Sequence, residues 1–286
     1  MTKHRVLVLG ASGMAGHMMV RSLRQHKGYE VFGAARRDCP FVTDQLDVSD
    51  LTALRETLVR IKPDYVVNLA GALITQCKNE PESGIWLNSC LPHHLANFGR
   101  EMDFRLIQLS TDCVFSGKAG QYVEDSLRDG DDNYARSKAL GEVVNDYDLT
   151  IRTSKIGPEL KPDGTGLMDW LFKQEGTITG YSQAYWSGVT TLEIARAVPH
   201  FIEQNITGLY HFAPSDKISK YELLKLLAEI WERPLEINAY ADYKADKSLI
   251  STRTDFDYKV PTYREMLVRL KALMDENLDL YPHYNF

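Results

Sequence analysis

Arg5-Val-Leu-Val-Leu-Gly10-Ala-Ser-Gly13-Met-Ala-Gly16 decides the fold. Its first five residues are a β-branched and leucine run bounded by glycine, the pattern of a strand buried on both faces of a parallel sheet. After Gly16 the period changes, and Met18, Met19 and Leu23 with polar residues between them predict a helix ending near Lys27-Gly28. Strand, glycine triplet and helix in that order permit a tight turn and a close approach of backbone to a pyrophosphate. The helix amino terminus then offers free N–H groups and a positive dipole end to the anion. Gly10, Ser12, Gly13, Met14 and Gly16 are therefore candidate dinucleotide-binding residues.

Outward from this turn, helix and strand alternate. Strands are predicted at 29–34, 64–70, 104–110 and 149–153, with helices at 86–98 and 134–145. Leu51, Leu54, Leu58 and Ile61 recur at helical spacing, Ser49 or Asp50 offers an N-cap, and Pro63 stops that helix. Such alternation implies an α/β fold with a doubly wound parallel (Rossmann) sheet and helices on both faces. Glycines and prolines scattered through 157–189 predict loops and short strands folded over the sheet's rim. Helices follow from Thr190 or Thr191 toward Asn205, from the capping box Ser219-Lys-Tyr-Glu222 to Trp231, and over 263–274. The organisation expected is a dinucleotide-binding domain, 1–155, and a smaller C-terminal α/β substrate-binding lobe, 156–286, interleaved across a soft boundary.

Composition narrows the function classes. With 286 residues, 33 Lys plus Arg against 39 Asp plus Glu give a net charge of −6, and no block of like charge supplies the basic stripe that nucleic acid would require. The 44% hydrophobic and 25% charged residues are the balance of an ordinary soluble globular protein. Cys39, Cys77, Cys90 and Cys113 show no C-x-x-C spacing and are too sparse for a disulfide framework, so a reduced, cytoplasmic setting is expected. The chain enters a strand at once, without an apolar leader, and no apolar run reaches the length of about 18 that a membrane span needs.

The spacing G-x-x-G-x-x-G differs from the G-x-G-x-x-G of many dehydrogenases and points to the short-chain dehydrogenase/reductase pattern. Where an acid would receive a ribose 2′-hydroxyl, the second strand ends in Gly33-Ala-Ala-Arg36-Arg37. Guanidinium forks suit a 2′-phosphate, so NADP(H) is favoured over NAD(H), against the plainer reading of two solvated arginines. Asp47, with Val48, stands where a carboxylate accepts from an adenine amino group, although capping of the next helix explains it equally well.

Tyr134-Ala-Arg-Ser-Lys138 puts a phenol and an ammonium on one helical face. A cation within about 4–6 Å lowers a phenol's pKa from about 10 and makes it a usable acid, so Lys138 is the expected tuner of Tyr134. Ser110-Thr111-Asp112 ends a strand whose carboxyl end faces the ligand crevice, where the Thr111 hydroxyl meets a substrate oxygen beside the phenol.

With these motifs in place, the sequence resembles the extended short-chain dehydrogenase/reductases, and within them the dTDP-4-dehydrorhamnose reductase (RmlD-like) group. The resemblance is carried by the glycine turn, Asp47-Val48, Asn68-Leu-Ala-Gly71, Ser110-Thr-Asp-Cys-Val-Phe115, Tyr134-x-x-x-Lys138 with Gly141-Glu142, and Arg152-Thr-Ser154. It extends more weakly through Trp186-Ser-Gly-Val-Thr-Thr191 and Asp246-Lys-Ser-Leu249. It implies that Thr111, Tyr134 and Lys138 are the catalytic set, and that Asn68, Ala70 and Gly71 line the cofactor cleft. The activity implied is NADPH-dependent reduction of the 4-keto group of a nucleotide-linked 6-deoxysugar in polysaccharide biosynthesis, with no metal required. Cys113 stands where the rhamnose-pathway reductases usually carry a tyrosine near the sugar. Lys247 and Arg253 are candidates for the diphosphate, and Trp186, Ser187 and Thr190 for the sugar; core packing or solvation explains each of these equally well.

Two rivals remain. Epimerisation or dehydration of a nucleotide sugar would use and regenerate the cofactor, but Cys113 rather than a glutamate follows Thr111-Asp112. A non-catalytic NADP-binding subunit is the other, since a relative of this group regulates methionine adenosyltransferase; retention of Thr111, Tyr134 and Lys138 argues against it. His93-His94 do not share a helical face and are not read as a metal site. The closing stretch 278–286, rich in aromatics, docks on this chain or on a second copy in a homodimer.

Overall fold

A single seven-stranded sheet gathers the predicted strands. The computed structural model describes residues 3–284. The chain runs β1 (His4–Leu9), α1 (Met14–Gln25), β2 (Tyr29–Ala35), β3 (Asp44–Gln45), α2 (Leu51–Ile61) and β4 (Tyr65–Asn68). It continues through α3 (Ile74–Asn79), α4 (Pro81–Ile85), α5 (Leu91–Met102), β5 (Arg105–Ser110), α6 (Asn133–Leu140), β6 (Leu149–Arg152), β7 (Lys155–Ile156) and α7 (Leu167–Phe172). Then come β8 (Thr177–Trp186), β9 (Val189–Thr190), α8 (Thr191–Glu203), β10 (Gly208–His211), β11 (Ile218–Ser219), α9 (Lys220–Ile230), β12 (Glu236–Asp246) and α10 (Tyr263–Asp275).

The main sheet has the order β10-β6-β5-β4-β1-β2-β3 and is parallel throughout. The chain reverses direction across the sheet at β1, where Leu9 pairs with both Ala34 and Asn68. A crevice outside the carboxyl ends of β1 and β4 follows from that switch. β1 reads as a continuous apolar run because both faces are covered. Val6 and Val8 join Met18, Met19 and Leu23 of α1 on one side, and Leu7 and Leu9 join Leu54, Leu58 and Leu95 on the other. Asp50, not Ser49, caps α2, accepting from the N–H groups of Thr52 and Ala53, and Lys62 ends that helix at φ 49° just before Pro63.

Residues after 156 supply β10 to the main sheet and α8, which packs against α1. The remainder forms a three-stranded sheet, β11-β8-β12, backed by α9. Here the structure departs from expectation. The region expected as loops and short strands contains the helix α7 and the long, ten-residue β8, whose alternation of buried and exposed residues is diluted by glycine and small polar side chains. Strand β12 had no apolar signal because nearly all of it faces solvent. The helix expected to reach residue 145 stops at Leu140, since a Cβ on Gly141 would stand 1.7 Å from the Asn88 carbonyl oxygen and the chain must turn into β6. The helix expected from Trp86 begins instead as a π-turn, Trp86–Cys90, ahead of α5.

Candidate active site

The glycine turn is as tight as its sequence implies. Gly10 has φ +79°, and a Cβ there would lie 2.8 Å from the Ala70 nitrogen. A Cβ on Gly16 would lie 1.9 Å from the Gly10 oxygen, so α1 is pressed onto the turn. Gly13 caps α1 without a side-chain acceptor, and the first turn, which begins at Met14, contains no acid. An amino terminus so stripped of internal acceptors, with Ser12 beside it, fits the pyrophosphate of a dinucleotide. His17, fully buried one turn in, is tied to the same loop. Nδ1 donates to the Gly13 carbonyl at 2.9 Å, which leaves Nε2 to accept from the Tyr281 hydroxyl at 3.0 Å. Burial lowers its pKa to about 4. The closing stretch therefore docks on its own chain through Tyr281 and Tyr284, both buried; Asn285 and Phe286 lie outside the described residues.

Arg36 and Arg37 are exposed just past β2. Asp47 is exposed too, and Oδ1 accepts from the Ser49 nitrogen and hydroxyl at 3.0 and 2.7 Å. Those bonds, with the Arg36 charge, hold its carboxyl below the usual range. Val48 beside it is buried. At the end of β4, Asn68 donates to the Gln108 side chain at 2.8 Å and accepts from the Ala70 nitrogen at 3.2 Å, which fixes the Ala70-Gly71 bend.

Thr111 follows β5, and Tyr134 and Lys138 lie one turn apart on α6. The Thr111 side chain acts on the Tyr134 phenol, accepts from the Cys113 nitrogen at 3.1 Å, and donates to Asp112 at 3.1 Å. The three residues thus come together, but their electrostatics correct one expectation. The Lys138 ammonium is buried and donates to the Leu109 carbonyl at 2.8 Å, and the phenol beside it is not lowered. Burial, Cys113 and Asp112 hold the Tyr134 pKa above its ordinary value, with Thr111 pulling the other way. Lys138 itself is lowered to about 8, by burial first and the Lys155 charge second. Burial likewise pushes the Cys113 thiol up to about 11, so it stays protonated at neutral pH.

Behind these groups runs a buried ionic network. Glu142 takes Arg152 at 2.6 and 2.8 Å, the Ser110 hydroxyl at 2.7 Å and Arg128 at 3.1 Å. Arg152 also donates to His211 Nε2 at 2.7 Å and stacks on Phe115. The Gly141-Glu142 and Arg152-Thr-Ser154 motifs accordingly brace the ends of β5, β6 and β10 under Thr111. On the other flank, Asn88 in the π-turn accepts from the Ala72 nitrogen at 2.9 Å and donates to Ser137 at 3.1 Å, clamping the loop after β4 to α6.

Comparison with known proteins decides the family. Residues 4–267 match the family model described as RmlD substrate binding domain. The chain belongs to that family. It is 29% identical over 234 residues (79% of this chain, 78% of the relative) to the Bacillus subtilis spore coat polysaccharide biosynthesis protein SpsK. It is 30% identical over 198 residues (67% and 62%) to a dTDP-4-dehydrorhamnose reductase of Streptomyces griseus. Among solved structures, the dTDP-4-dehydrorhamnose reductase of Bacillus anthracis in complex with NADP superposes with a TM-score of 0.81 over 95% of this chain and 99% of that one at 19% identity. That likeness confirms the Rossmann-like fold.

In this RmlD-family protein the substrate-side candidates are scattered. Lys247 faces Cys113 electrostatically. Trp186 is buried beneath Lys220, Ser187 accepts from the Leu249 nitrogen at 2.7 Å, and Thr190 caps α8. Arg253 is not brought to the others: its guanidinium is bound to the carbonyls of Thr207 and Leu209 and to Asp255, at the amino end of β10. Sequence reasoning missed Asn88, His17, Lys155 and Lys220. A polar residue inside an apolar helix could have flagged Asn88, whereas Lys220 was absorbed into a capping box that explained its neighbours. No helix among the described residues is long and apolar enough to cross a membrane.

Proposed function

We propose that this protein reduces the 4-keto group of a nucleotide-linked 4-keto-6-deoxysugar with NADPH, in the making of a polysaccharide sugar. The observation that carries the reading is the pairing of Thr111 with the buried Tyr134 phenol, with Lys138 one turn on, beside a helix amino terminus free of internal acceptors. The names of the SpsK and reductase relatives support both substrate class and setting. Arg36 and Arg37 support the 2′-phosphate, in line with the NADP of the Bacillus anthracis reductase.

When bound, the nicotinamide dinucleotide supplies the hydride. Gly10, Ser12, Gly13, Met14 and Gly16 would hold its pyrophosphate, Arg36 and Arg37 its 2′-phosphate, Asp47 and Val48 its adenine, and Asn68, Ala70, Gly71 and Lys138 its nicotinamide half. Thr111 donates to the substrate carbonyl oxygen, and Tyr134 gives that oxygen its proton as negative charge grows there. A phenol held above its usual pKa is protonated throughout the neutral range, as an acid must be. Lys138, cationic at pH 7, favours the phenolate left behind until solvent reprotonates it. Cys113, Trp186, Ser187, Thr190 and Lys247 border the sugar and its diphosphate. The test is NADPH oxidation with a dTDP-4-keto-6-deoxyhexose: Tyr134→Phe should lower kcat by about 10²–10⁴ with NADPH affinity kept. A variant retaining most of the native rate would remove Tyr134 as the acid.

A further inference from the structure

Two lysines that this reaction leaves unused stand at the same rim as Thr111. Lys155 opens β7, just past the carboxyl end of β6, and pairs in register with Val189 of β9. The Val189 nitrogen donates to the Ser154 carbonyl at 2.9 Å, locking the two segments. Lys220 opens α9 directly after Ser219, which pairs with Tyr185 of β8, and its Nζ lies 4.8 Å from the Trp186 ring centroid. The stretch from Trp186 to Thr190 therefore joins the two cations, one over its aromatic start and the other beside its strand end.

Both ammonium groups act on the same pair, Asp112 and Cys113, in the turn after Thr111. Lys155 also acts on Lys138, and Lys247 on Cys113. Yet neither Lys155 nor Lys220 has a hydrogen bond or a carboxylate within 4.0 Å among the described residues. The nearby acids are already engaged: Glu159 accepts from the Thr165 and Gly166 nitrogens at 2.9 and 3.0 Å, and Asp112 from Thr111. Lys138, Lys155, Lys220 and Lys247 thus crowd a turn whose facing acids are Asp112, Asp132 and Glu159, and Asp132 already accepts from the Ala135 nitrogen at 2.7 Å. Burial holds Lys155 and Lys220 below the usual lysine range, as expected of cations short of counter-charge. Both lysines are half-buried, and a ligand oxyanion would supply the counter-charge they lack.

We infer that Lys155 and Lys220 together form a subsite for an oxyanion on the substrate, either its diphosphate or a carboxylate on its sugar. This rests on reading the crevice as a nucleotide-sugar site, but its test involves no turnover, so it fails or stands separately from the Tyr134→Phe result. The NADP⁺-loaded protein is titrated calorimetrically with dTDP, dTDP-glucose and dTDP-glucuronate, as native chain, Lys155→Met and Lys220→Met. If the diphosphate is held, each substitution weakens all three probes by about tenfold or more. If a carboxylate is held, the native protein prefers dTDP-glucuronate over dTDP-glucose by about tenfold, and that preference collapses in the variants while dTDP is unaffected. Unchanged NADP⁺ affinity and unfolding temperature verify that the variants are folded. Folded variants that bind all three probes as the native protein does would overturn the inference, as would a native protein that binds none of them.

Discussion

The two walls of the crevice are built in opposite ways. The wall proposed for the dinucleotide comes from consecutive segments: β1, the glycine turn and α1, then the ends of β2 and β4. The wall proposed for the substrate is assembled from residues far apart in sequence, with Tyr122 bridged to Leu249, β8 paired with both β11 and β12, and Trp186 under Lys220. Where a site is made by chain order, each residue must satisfy a local rule, such as a glycine at φ +79° or an uncapped helix start. Where it is made by tertiary assembly, a lysine or tryptophan follows no local rule, and the same fold is free to accept different substrates.

The junction between the walls should be the most sensitive place. Glu142→Gln leaves Arg152 buried without its carboxylate, and a loss of about 3–5 kcal/mol is expected in urea unfolding. A loss below about 0.5 kcal/mol would mean that the walls are not braced there. On the dinucleotide wall, Gly16→Ala forces a methyl into the Gly10 carbonyl and should cost about 1–3 kcal/mol, together with more than tenfold in NADPH affinity by fluorescence titration. Native affinity in that variant would break the contrast, because the turn would then tolerate what its geometry forbids.

Acid should loosen both walls in sequence. His17 and His211 are lowered from 6.5 to about 4, so between those values the unfolded chain binds protons that the folded one refuses, and stability falls as pH drops through that window. Glu124 is lowered to about 2: burial opposes the shift, but bonds from Thr252, Ser251 and His211 outweigh it. Its contribution is complete above 4.5 and lost as pH falls toward 2. Urea midpoints from pH 7 to 2 should show both phases, and His17→Asn should flatten the first. The smallest effect is expected on the exposed face of the substrate wall, where Tyr243→Ser should change stability by no more than about 0.5 kcal/mol and leave NADPH affinity alone.

The same contrast explains what was legible in the sequence. The sheet and its helices could be read because β1, β4 and β5 carry short apolar runs buried on both faces and α2 carries a matching cap and stop. Tyr134, Lys138 and Thr111 could be named because i,i+4 spacing and a strand's carboxyl end are local facts. Their electrostatics could not, since spacing does not reveal that the Lys138 ammonium turns to the Leu109 carbonyl. β12 escaped because a solvent-facing strand lacks the apolar alternation that marks a half-buried one. Arg253 looked available because its partners, the carbonyls of Thr207 and Leu209, belong to a strand some forty-odd residues earlier.

The stoichiometry of turnover tests the central claim most directly. With NADPH and a dTDP-4-keto-6-deoxyhexose, one NADP⁺ should be released for each sugar reduced at its keto carbon. Conversion of the sugar with no net oxidation of NADPH would contradict reduction and make the crevice the site of an internal redox cycle.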